Sequence, residues 1–61
     1  MSVREAKELA GIRQALRDRL TAQDAGGATD VLVRLREVAT GDDELRAEYE
    51  RWAFRFELLA A

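Results

Sequence analysis

Sixty-one residues make one domain at most, and a domain of that size buries only about 60% of the surface its unfolded chain exposes. The chain has no Cys and no His, which removes disulfide staples, thiol nucleophiles, imidazole bases and the usual zinc ligands, so stability has to come from helix packing or from an oligomer. Charged residues make up 36%, apolar residues 48%, and the net charge is −2, a globular balance with no global field to draw the chain onto nucleic acid.

The first segment opens with Ser2-Val3-Arg4-Glu5. A Ser followed three residues later by Glu is a capping-box pattern. Leu9, Ile12, Leu16 and Leu20 then recur at three- and four-residue steps, a narrow apolar stripe on one helix face with Ala6 at its edge. Gly11 interrupts this helix, either for a close backbone approach or at a cost of about 1 kcal/mol. The pattern predicts a helix over 2–22 and a loop over 24–28 around Gly26-Gly27.

The second segment is expected to be short, over 29–40, with Thr29 as N-cap and Asp30 in the first turn. Val31, Leu32, Leu35, Val38 and Ala39 form its apolar face, and Asp30 and Arg34 stand at pairing distance on the wet side. Gly41 suits the left-handed position just past the helix end.

The third segment is expected over 42–60, capped by Gly41 or Asp42, with Asp43 and Glu44 at its positive end. Leu45, Tyr49, Trp52, Phe56 and Leu59 follow at steps of 4, 3, 4 and 3, a heptad seam carrying three of the four aromatic residues. A second apolar set, Ala47, Phe54, Leu58 and Ala61, falls on the opposite face at ~100° per residue. A helix in a three-helix monomer buries one broad face, not two opposed ones. The second set is therefore expected to pack on another chain. The alternatives are that Phe54 folds back beneath the N-terminal segment near Val3, or that the pair is simply exposed.

The chain should be all-α, a single domain over 1–61 built as a three-helix hairpin array or bundle. Two long helices would flank a middle one about half their length, and self-association would complete the assembly. The expected core is Leu9, Ile12, Leu16, Leu20, Val31, Leu35, Val38, Leu45, Tyr49, Trp52, Phe56 and Leu59.

Charge is unevenly spread. Residues 1–20 carry five basic and three acidic groups, and residues 41–61 carry three basic and six acidic groups. The two ends are expected to attract each other, within one chain or between chains.

The chemistry-bearing residues are few. The acidic run Asp42-Asp43-Glu44, with Glu48 one turn on, lacks the loop pattern of a calcium site and has a structural reason at a helix N-terminus. Gly26-Gly27 lacks the Lys-Ser/Thr of a phosphate loop. A chain this small is not expected to enclose a pocket of several hundred Å3. No metal, no cofactor, no small-molecule substrate and no enzymatic activity are therefore expected.

No apolar run reaches the roughly 20 residues of a membrane span, and the first residues lack the apolar core of a secretory signal. A cytoplasmic location is the expectation.

The function expected is a non-catalytic protein–protein interaction module, a self-associating helical protein or an adaptor or regulator. Phe54, Leu58, Trp52 and Phe56 are its partner-binding residues, since aromatic anchors dominate such interfaces. The alternative is a small nucleic-acid-binding regulator using Arg13, Arg17 and Arg19 on the first helix. A helix-turn-helix from the second and third segments is electrostatically disfavoured, because Asp42, Asp43 and Glu44 would open the recognition helix against phosphate.

Overall fold

The computed structural model describes residues 2–60 and contains three helices: α1 (Val3–Thr21), α2 (Ala25–Val38) and α3 (Asp43–Ala60). The chain is all-α, as its periodicity requires. α2 lies in the middle, packed on α1 along one side and on α3 along the other, while α1 and α3 approach each other closely over only a short stretch. The resulting array is long and thin, 35 × 19 × 14 Å along its principal axes.

Helix starts follow from local hydrogen bonding. Ser2 is extended, and its hydroxyl accepts from the Glu5 amide at 3.2 Å, satisfying one of the orphan donors of the first turn. Asp42 caps α3 by accepting from the Leu45 amide at 3.1 Å. Gly41, at φ +80°, takes the left-handed position between α2 and α3, where a side chain would be strained.

The start of α2 departs from the sequence expectation. Asp24, not Thr29, is the N-cap, and its carboxylate accepts from the Gly27 amide at 2.8 Å. Gly26 and Gly27 therefore lie in the first turn of the helix and not in a loop. Thr29 sits a turn further in, its hydroxyl donating back to the Ala25 carbonyl. The true connection is only Ala22–Asp24. Gln23 adopts φ +57°, the Gln23 amide donates to the Leu20 carbonyl, and the Asp24 amide donates to the Arg19 carbonyl at 2.9 Å. That is a Schellman ending, with glutamine where glycine is usual. Asp24 thus ends one helix and begins the next. As a consequence α2 has 14 residues against 19 and 18 for its neighbours, well above half their length.

The core runs along both sides of α2. Leu9, Ile12 and Leu16 from α1, Ala28 and Leu35 from α2, Ala39 just past its end, and Leu45, Trp52 and Phe56 from α3 are buried. Leu20, Val31, Val38 and Tyr49 are partly buried against them. Ala28 is fully buried in the stretch expected to be a loop. Leu59 does not belong to the core. Among the residues of α3 whose burial is described, Phe56 is the last buried one, and residues 57–59 are exposed. Residues 2–8 at the start of α1 are likewise exposed.

Three smaller expectations have different outcomes. Asp30 and Arg34 are both exposed and form no ion pair, as the few tenths of a kcal/mol available to such a pair allow. Gly11 has open space beside it, so no close approach explains it. Two concavities of several hundred Å3 do exist, about 540 Å3 between α1 and α2 and about 320 Å3 between α2 and α3, but both are open grooves and not enclosed pockets.

Candidate protein-interaction face

α3 is two-faced. Leu45, Trp52 and Phe56 point into the core, and Phe54 stands about 180° round the helix from Leu45 at ~100° per residue. Phe54 is 60% exposed and Leu58 is 61% exposed. They are four residues apart and so neighbours on one face. Ala47 is exposed two turns before Phe54 on the same line. Ala61, the remaining member of the stripe, lies outside the described residues. Val3 is itself 74% exposed, so Phe54 does not fold back beneath the N-terminal segment.

The other two expected partner residues are placed differently. Trp52 and Phe56 are buried in the chain's own core, their rings stacked with centroids 6.5 Å apart. They offer a partner little surface and serve instead to fix α3 in the core. The Arg55 guanidinium lies over the Trp52 ring at 4.9 Å, a cation–π contact on the core-facing side of α3.

The arginines of α1 are largely committed. Arg13 donates to Glu48 through both Nε and Nη2, at 2.8 and 2.7 Å, a bidentate pair that joins α1 to α3. The Trp52 indole donates to the same carboxylate at 3.4 Å. The two hydrogen bonds from Arg13 hold the Glu48 carboxyl below the usual carboxylate range; partial desolvation opposes this, and the Arg13 charge, the indole and Arg51 reinforce it. Arg19 pairs with Asp24 at 3.1 Å, and Arg17 donates to Gln14 at 2.9 Å. The basic N-terminal and acidic C-terminal segments therefore meet within one chain, at Arg13 and Glu48.

Sequence reasoning located Phe54 and Leu58 correctly as a face opposed to the seam. It missed Glu48 as the residue closing the third side of the array. The signal was present in the charge asymmetry of the two ends, but not at the level of a single pair. Comparison with known protein families, curated protein sequences and solved structures finds no match for this chain. No helix among the described residues is long and apolar enough to cross a membrane.

Proposed function

We propose that the chain is a non-catalytic protein–protein interaction module, a small helical adaptor or regulator that docks through the outer face of α3. The observation that carries this reading is the pairing of Phe54 and Leu58, each about three-fifths exposed, on the face opposite a core that is already complete without them. Large apolar side chains displayed together on a rigid helix are the usual anchors of a helix-mediated interface. The non-catalytic part rests on composition, since a chain with neither Cys nor His has no thiol nucleophile and no imidazole base. Nothing in that composition calls for an oxidising compartment either, in keeping with a cytoplasmic protein.

The nucleic-acid alternative draws less support, because Arg13 and Arg19 are already paired with carboxylates. Retention of the chain on immobilised DNA at low salt would favour it over the interface reading.

The test is affinity capture with two baits, the wild-type chain and the Phe54→Glu/Leu58→Glu variant. The reading predicts proteins, further copies of the chain included, that the wild type retains and the variant does not. Identical retention by both would overturn it.

A further inference from the structure

The stripe carries information about its occupant in the charges beside it. Glu50 and Glu57 lie along one flank of the Phe54–Leu58 line, and Arg51 and Arg55 along the other, all within roughly 80° of its centre. All four are exposed. The Arg55 guanidinium rests over the Trp52 ring at 4.9 Å, on the side of this flank away from the stripe. An acidic edge and a basic edge thus border one apolar line.

We infer that the occupant of this face is a second copy of the chain, packed with α3 parallel to α3 about a two-fold axis along the helices. This rests on the interface reading above and names its partner. A two-fold axis parallel to two facing helices sets the left flank of one against the right flank of the other. Glu50 and Glu57 of each copy then face Arg51 and Arg55 of the other, while Phe54 meets Phe54 and Leu58 meets Leu58.

The antiparallel arrangement cannot do both. It sets each flank against itself. If the apolar halves overlap, Glu57 approaches Glu57 and Arg55 approaches Arg55. If the helices slide until Glu44 pairs with Arg55 and Arg46 with Glu57, Leu58 is left over Asp43. Only the parallel pair matches apolar with apolar and acid with base together. At its N-terminal end Asp43 and Glu44 repel their counterparts, so the two helices diverge there and contact is confined to about residues 47–58.

The surface balance agrees. The chain exposes 4568 Å2, against roughly 4,000 Å2 for a compact monomer of this size. A contact of two short helices falls at the small end of specific interfaces, so the dimer forms and dissociates with concentration.

The chain has no cysteine of its own, so one introduced thiol reports the arrangement. In a parallel pair Ala47 faces its own counterpart within disulfide reach. In the antiparallel pairs it faces position 54 or lies beyond the overlap. Sedimentation equilibrium of the wild type at low and high salt is run beside glutathione-buffered oxidation of Ala47→Cys. The inference predicts a monomer–dimer equilibrium that weakens severalfold with salt, because the flanks attract, and an Ala47→Cys disulfide dimer that Phe54→Glu/Leu58→Glu added to the same chain suppresses. Dimerisation without cross-linking, or dimerisation strengthened by salt, would overturn the parallel arrangement and leave the interface reading standing. A wild-type monomer at millimolar concentration would overturn the second copy as occupant. The two-bait capture would then decide whether the face has a foreign partner.

Discussion

Asp24 joins two helices through one carboxylate. Oδ1 accepts from the Gly27 amide at 2.8 Å and Oδ2 from Arg19 at 3.1 Å. A side chain at position 27 would collide with that carboxylate, whereas at position 26 it meets only ordinary contact at 4.0 Å. Neighbouring glycines should therefore answer differently to the same substitution. Gly26→Ala raises stability by up to about 1 kcal/mol through helix propensity. Gly27→Ala gains the same term but displaces the cap, which is worth about 1 kcal/mol, and ends neutral or destabilised. Urea unfolding of the two variants checks the difference. Glu48 ties stability to pH. Its carboxyl sits below the usual range when folded because Arg13 hydrogen-bonds it. On unfolding it returns to about 4.3. The unfolded state therefore takes up the proton first as pH falls, and the contribution present at neutral pH is lost below about pH 4.3. The pair is partly wet, with side chains 40% and 16% exposed, so its worth is held to about 1 kcal/mol. Denaturation of Glu48→Gln beside the wild type should show a gap of that order at pH 7 that closes as pH falls below 4.

At the level of the helices, stability is uneven along α1. Its first residues have no neighbour to bury against, and Leu9 is the first buried side chain. Amides at Lys7–Ala10 should exchange far faster than those at Leu16 and Leu35, which lie at zero exposure and open only with global unfolding. Gly11→Ala, with open space to receive the methyl, should raise the melting temperature by about 4–8 °C, the equivalent of ~1 kcal/mol in a domain this small. Helix identity was legible in the sequence because the apolar spacing is regular in all three segments and each has a capping residue. The beginning of α2 was not. Two adjacent glycines carry the composition of a loop, and their place inside a helix depends on a cap that is one of several aspartates. The seam on α3 was legible down to Phe56. Leu59 continues the heptad without a partner to pack on, because periodicity records which face a residue takes and not where the neighbouring helices stop.

For the whole molecule, α3 has separate inward and outward roles. The inner face, through Trp52 and Phe56, builds the fold. The outer face, through Phe54 and Leu58, contributes no core. The candidate site was legible in the sequence to that extent, because opposed apolar sets on one helix cannot both face a single neighbour. The sequence points Trp52 and Phe56 both to the core and to the interface; they are buried, so only the core role remains. The closing of α1 on α3 by Arg13 and Glu48 needed the tertiary arrangement, since the two residues are 35 positions apart. A thin array with an ion pair for its third side has little stability in reserve. Phe56→Ala should cost about 3–5 kcal/mol, enough to unfold most of a small marginal domain, whereas changes at Phe54 should leave the fold intact.

The most direct test of this division is molar mass by light scattering over a concentration series, for the wild type and Phe54→Glu/Leu58→Glu, with helicity followed by circular dichroism in the same samples. The wild-type mass should rise with concentration, and the variant should stay monomeric with unchanged helicity. A variant that loses helicity as a dilute monomer, or one whose mass tracks the wild type at every concentration, would contradict that division.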